Sequence, residues 1–205
     1  GYFELYVNGE RIGDDYLVPN MTDYTKRFDL EKGPIAISGN MSRHRVMYLA
    51  YDITKQIQEG RNALGVILGN GFYDAVNLNI PCSKFGDECL RLQLQLTYTD
   101  GTTQTVISDN TWETKPSAIT LNGVHAGEIY NANLETPLWA TTEDNSQGWQ
   151  RVKCIEGPTG MMTAHTAPTD KIVDTLKPIS LHQREDGAWV VDFGKEISGW
   201  LHLHD

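Results

Sequence analysis

A chain of 205 residues is long enough for one large β domain, or for one domain and part of a second. With 17 basic and 27 acidic residues it carries a formal net charge of −10 and an isoelectric point near 5.0, which excludes a surface built to track nucleic-acid phosphates. No apolar run approaches the ~20 residues that a membrane-spanning helix needs.

Taken in chain order, the dominant period is two rather than 3.6. "FELYV" alternates and runs into Asn8-Gly9, the strongest short hairpin signal, with "ERIG" as the return strand. Gly13 permits positive φ where that strand ends. Asp14 and Asp15 follow it, with two uses open to them. They are turn and cap acceptors, or carboxylates for Ca²⁺, a hard cation that gathers six to eight oxygens from loops. "HRVMYLAYDIT" predicts a strand that ends at a cap-like Asp52-Ile53-Thr54, and "KQIQEGRN" predicts one helical turn closed by Gly60. The apolar run "NALGVILG" predicts a fully buried strand. "LRLQLQLTYTDG" alternates cleanly, and Asp100-Gly101 turns it into "TTQTVISD". Pro116 limits "DNTWETKPSAI" to an edge or an exit. From Asn131 to Gly160 the chain is loop-rich, with Trp139 and Trp149 as anchors. "TAHTAPTDK" then predicts a linker, "AWVVDFG" a fresh strand and "GWLHLHD" a strand at the end. Many short strands with turn signals between them predict an all-β, antiparallel, jelly-roll-like sandwich of the carbohydrate-binding-module kind, spanning 1–162. Residues 163–205 supply a linker and the first strands of a second β domain. The abrupt start at Gly1 and the end at Asp205 suggest a piece of a longer protein.

The polar loop "LGNGFYDAVNLNIPCSKFGDE" offers the clearest binding chemistry. Gly69 and Gly71 flank Asn70, so the backbone can turn sharply and present an amide. Phe72 and Tyr73 bring flat faces of the kind that stack on sugar rings, the alternatives being a core role for Phe72 and a rim position for Tyr73. Asn77 and Asn79 add amides, and with Asn70, Asp14 and Asp15 they furnish calcium oxygens if the loops converge. An inverting glycosidase needs two carboxyls ~6.5–9.5 Å apart and a retaining one ~5–5.5 Å. Asp14/Asp23, Asp87/Glu88 and Glu128/Glu135 are the obvious pairs, but none lies in a recognisable motif. A compact sandwich rarely builds the deep cleft that hydrolysis requires, so the chain itself reads as non-catalytic. Ser/His/Asp ordering, a phosphate loop and a dinucleotide fingerprint are all missing. His202 and His204 share one strand face and could chelate a metal, or they are simply exposed. Cys82 and Cys89 could pair across a short loop, and with Cys154 they otherwise read as free thiols. Trp112, Trp139, Trp149, Trp189 and Trp200 serve as packing residues or as a carbohydrate platform.

Four ordered blocks carry a resemblance: "ELYVNGERIGDDYLVPNMTDYTKR", "YDITKQIQEGRNALGVILGNGFY", "GEIYNANLE" and "WVVDFGKEISGWLHL". Together they resemble the N-terminal β-sandwich module of bacterial α-L-rhamnosidases and the start of the β domain that follows it. The resemblance implies inverting glycoside hydrolases whose catalytic carboxylates sit in a later (α/α)6 barrel, so this region would be an accessory domain bracing that barrel. It also implies rhamnoside glycans as partners, with L-rhamnose held in some such modules beside a calcium ion, and a secreted or periplasmic setting without nucleic acid or membrane. The chain departs from the pattern in four places. It has Asn20-Met21 where Gly-Trp is usual, an insert between Arg27 and Tyr51, Asn131-Ala132-Asn133 for Asp-Ala-Arg, and Lys195-Glu196 for Gln-Asn. A structural spacer with no sugar affinity and an independent adhesion module are the competing expectations.

Overall fold

The computed structural model describes residues 1–22, 24–25, 44–74, 85–143 and 147–202. Among them the strands are β1 (Tyr2–Val7), β2 (Glu10–Arg11), β3 (Arg45–Tyr48), β4 (Leu64–Gly69), β5 (Gln93–Thr97), β6 (Thr103–Ile107), β7 (Glu113–Thr114), β8 (Ile119–Gly123), β9 (Gly127–Tyr130), β10 (Gln150–Arg151), β11 (Met161–Ala164), β12 (Ser180–Gln183) and β13 (Trp189–Asp192). A 3-10 turn at Ala132–Leu134 is the helical element among these residues. The fold is all-β and its ladders are antiparallel except one, β3 with β11, which run parallel.

The three-stranded sheet β2-β1-β4 shows how sequence becomes architecture. Phe3, Leu5 and Val7 share one face of β1 and stand opposite Leu68, Val66 and Leu64 of β4. Val7 is fully buried there. The other face carries Tyr2, Glu4 and Tyr6 opposite Gly69, Ile67 and Gly65. Gly65 is required: the Trp139 ring lies so close that a Cβ would meet its Cζ3 at 2.4 Å. Trp139 also meets the Tyr6 ring edge-on at 5.1 Å. The run "LGVILG" therefore fails to alternate because both of its faces are covered. Coverage is partial: Gly65 is buried, while the rest of β4 is half-buried rather than fully so.

Two Xaa-Gly dipeptides turn their hairpins differently. Asn8 (φ +51) and Gly9 (φ +86) are both left-handed and join Val7 directly to Glu10, a two-residue loop. At the second hairpin Gly101 N donates to Tyr98 O at 3.0 Å, and Tyr98 N donates to Thr102 O at 2.8 Å. Gly101 (φ +85) thus forms the bulge of a three-residue loop, and Asp100 Oδ1 caps it by accepting from Thr102 N at 2.9 Å.

The helical turn expected over Lys55–Asn62 is only a single closure, Ile57 N to Ile53 O at 3.2 Å. Side chains take over the backbone groups that a helix would use. Asn62 Oδ1 accepts from Gln58 N at 2.9 Å, Asn62 Nδ2 donates to Gln58 O at 2.8 Å, and Asn8 Nδ2 donates to Gln56 O at 2.8 Å. The strand predicted from His44 to Thr54 contracts to β3.

The chain divides into two compact units, Gly1–Asp170 and Lys171–Asp205. β11, which straddles residue 163, belongs to the first. The second, taken by itself, holds the β12–β13 hairpin, whose turn repeats the Asp100 geometry at Asp186-Gly187. Ile179, Leu181, Trp189 and Val191 are all exposed on it. Residues 199–202 form no strand.

Candidate functional site

Two neighbourhoods in the first unit gather the polar residues singled out above. The first is the turn after β2. Gly13 adopts φ +78, and the Tyr51 ring occupies the space a side chain would need, 2.8 Å from an ideal Cβ. Asp14 is exposed and Asp15 half-buried. The Asp15 carboxylate accepts a hydrogen bond from Thr169 Oγ1 and another from the Tyr51 hydroxyl. Arg11 organises the turn from beneath. Its Nη1 donates to Gly13 O at 2.8 Å and its Nη2 to Asp15 O, and its guanidinium lies 4.3 Å from the Tyr16 ring centroid. Arg11 Nε stands 3.2 Å from Glu4 Oε1, near enough for an ion pair but off the hydrogen-bond direction. Glu4 Oε2 accepts from the Tyr6 hydroxyl at 3.0 Å. Burial first, then the nearby Asp15 carboxylate and its hydrogen bond, push the Tyr51 phenol up to about 12.

The second neighbourhood follows β4. Gly71 (φ +51) lets the chain fold back on Asn70, whose carbonyl accepts from Tyr73 N at 3.0 Å and Asp74 N at 3.2 Å. Asn70 Nδ2 donates to Glu88 Oε1, and Asn70 N donates to Asn122 Oδ1 at 2.9 Å. Asn122 belongs to β8, so the amide rim is pinned to a second hairpin. Phe72 is half-buried and meets the His125 ring edge-on at 6.1 Å. Tyr73 is only 9% exposed, stacked on Phe85 at 5.8 Å and edge-on to Tyr24 at 5.0 Å. Of the roles left open, the core one falls to Tyr73, against both its stacking and its rim alternatives, and Phe72 is left free to offer a face. Phe72 keeps part of a face at the surface, and Tyr73 goes to the core because Tyr24 and Phe85 wait there. Burial first, then the hydrogen bond that the Tyr73 hydroxyl shares with the Cys89 sulfur 3.7 Å away, raises the Tyr73 phenol to about 12.

Asp14 and Asp15 stay together, as do Asn70, Phe72 and Tyr73, but the two sets hold different partners: Arg11, Tyr51 and Thr169 for the first, Glu88, Asn122 and His125 for the second. Asn77, Asn79, Cys82, Asp23 and His204 lie outside the described residues. Cys89 and Cys154 are free thiols. Among the described residues no group of three or more His, Cys, Asp or Glu side chains could hold a metal ion, and no helix is long and apolar enough to cross a membrane. Glu88 was singled out only as half of a carboxyl pair, and Tyr51, Thr169, Asn122 and His125 were not singled out for these sites. Asn122, in an Asn-Gly step, carried a local signal; Tyr51, Glu88 and Thr169 come from loops elsewhere in the chain, and His125 from the turn after β8.

The sequence matches the family described as the alpha-L-rhamnosidase N-terminal domain over residues 1–36 and 39–174. The chain belongs to that family. This rhamnosidase N-terminal domain is 34% identical to an alpha-L-rhamnosidase of Formosa agariphila, a match covering 100% of the chain and 20% of that protein. A Streptomyces avermitilis alpha-L-rhamnosidase is 27% identical over 99% of the chain and 18% of its own length. The domain therefore spans about a fifth of the curated relatives it matches. Among solved structures, the alpha-L-rhamnosidase of Dictyoglumus thermophilum superposes with a TM-score of 0.76 at 36% identity, covering 95% of this chain and 19% of that one. The Streptomyces avermitilis enzyme, complexed with L-rhamnose, gives 0.77 at 28% identity, covering 95% and 17%. One departure of the domain from the familiar pattern has a local explanation. Asn131 Oδ1 accepts from Asn133 N at 3.1 Å and so caps the 3-10 turn, a role open equally to the usual Asp.

Proposed function

We propose that this domain is a non-catalytic accessory module of a larger alpha-L-rhamnosidase, bracing the catalytic part of the enzyme and holding L-rhamnose-containing glycans near it. The observation that carries the reading is coverage: the whole chain aligns with one-fifth of relatives named alpha-L-rhamnosidase. The rim formed by Asn70, Glu88, Asn122, His125 and the half-open face of Phe72 supports the sugar-holding part. It combines amide, carboxylate and imidazole groups with an apolar ring, the mixture that a pyranose's hydroxyl edge and C–H face require. Calcium belongs to the same proposal. Asp14 and Asp15 supply two carboxylates, and the remaining oxygens of a six- to eight-fold shell would come from loop amides such as Asn77 and Asn79.

The test is an NMR titration with L-rhamnose into the tens of millimolar, because a millimolar site corresponds to only about 4 kcal/mol. Saturable shifts at Asn70 and Asn122 in calcium, abolished by EDTA, support the full reading. Shifts that survive EDTA remove calcium from it. No shifts at all leave a brace without sugar affinity.

A further inference from the structure

The Asp14–Asp15 turn has a second role, argued from contacts that need neither sugar nor cation. Residues 165–179 run without a strand, and most of them are exposed. The chain is held back on the module at an isolated bridge between Tyr16 and Asp170, where Tyr16 N donates to Asp170 O at 2.9 Å. One residue earlier on both segments, Thr169 Oγ1 donates to the Asp15 carboxylate. Consecutive residues on one side thus grip consecutive residues on the other, one grip through backbone and one through a charge-assisted hydrogen bond. The gripping side is itself rigid. Arg11 ties Gly13 and Asp15 through their carbonyls and stacks on Tyr16. Beyond it, Leu17 is held at φ +52, a conformation that a branched side chain rarely adopts, between the Tyr16 bond and the 3.0 Å bond from Phe3 N to Val18 O. Asp170 is the last residue of the first compact unit.

We propose that Asp15 and Tyr16 form a latch on Thr169 and Asp170, with Arg11 as its frame, and that the latch fixes where the chain leaves the first unit. It gives the Asp15 carboxylate a protein partner of its own, and it stands whether or not sugar or a cation binds. Amide hydrogen exchange of Tyr16 tests it in the wild type and in Thr169→Val and Asp15→Ala. Thr169→Val keeps the shape of the side chain, so it serves even if Asp15→Ala fails to fold. Loss of a charge-assisted bond predicts Tyr16 exchange roughly ten-fold faster. Trypsin cleavage after Lys171 should accelerate in parallel, while β1 amides such as that of Val7 keep their rates. An unchanged Tyr16 rate in Thr169→Val overturns the latch. So does an acceleration shared equally by Val7, which would mean general loosening. Loss of Tyr16 protection when EDTA is added to the wild type overturns it too, by making the contact depend on a cation.

Discussion

The hairpin β1–β2 and the hairpin β12–β13 begin from the same kind of sequence and end in opposite environments. Each is a short alternating strand closed by a polar residue and a glycine, and each turn has the backbone bonds its glycine permits. Yet Val7 is 0% exposed, whereas Leu181 is 61% and Trp189 is 62% exposed. Turn chemistry is local and works in either setting. Burial is not local: β1 has β4 along its free edge and Trp139 across one face, while among the described residues β12 pairs with β13 alone. A two-stranded ribbon is marginal by itself, so equal local signals give unequal stability.

Glycine substitutions break the comparison most sharply. Gly65→Val puts side-chain atoms where Trp139 Cζ3 stands 2.4 Å and Ala140 Cβ 2.9 Å from the first carbon. We expect a loss of about 3 kcal/mol or outright failure to fold, read from a urea melt followed by circular dichroism. Gly187→Ala, at φ +86 with nothing within 4 Å, should cost only about 1 kcal/mol, and only in its own hairpin.

Alkaline pH should separate the same two regions. All nine tyrosines precede residue 131, and burial raises the Tyr24 phenol from 10.0 to about 12. A raised folded pKa contributes stability that is complete below pH 10, where both states are protonated. That stability is lost as pH climbs from 10 toward 12, because the unfolded chain ionises first. For Tyr24, 5% exposed, the rise from 10.0 to about 12 is worth roughly 2–3 kcal/mol, and Tyr6, Tyr51 and Tyr73 act in the same direction. The part of the tyrosinate absorbance that belongs to the buried phenols should rise only together with loss of the β signal of the first unit; a tyrosinate rise complete before that loss would refute the assignment.

Side-chain truncation should sharpen the contrast with the smallest effects. Val7→Ala should cost about 2 kcal/mol, through lost transfer energy and a residual cavity. Leu181→Ala, on the exposed hairpin, should stay within about 0.5 kcal/mol. Paired urea midpoints decide this, and equal losses would mean that β12 is covered after all.

Much of this was legible in residues near one another in the chain. Asn8-Gly9 and Asp100-Gly101 announced their hairpins, and "FELYV" announced its buried face, because strand alternation and positive φ depend on neighbouring residues. The failures share a cause. Lys55–Asn62 carries helix-compatible residues, but Asn8, nearly fifty residues upstream, and Asn62 capture its backbone. Tyr73 and Phe72 look interchangeable in sequence, and only the arrival of Tyr24 and Phe85 decides which of them is buried.

By itself the sequence determined the strand-and-turn grammar, the all-β class and membership of the rhamnosidase N-terminal domain family, since these rest on local patterns and ordered motifs. Only the tertiary structure decided that Asp15 meets Thr169, that Trp139 covers Gly65, and that Asn70 joins Glu88 and Asn122. Those contacts join residues far apart in the chain, and no local propensity encodes a partner that folding alone brings near.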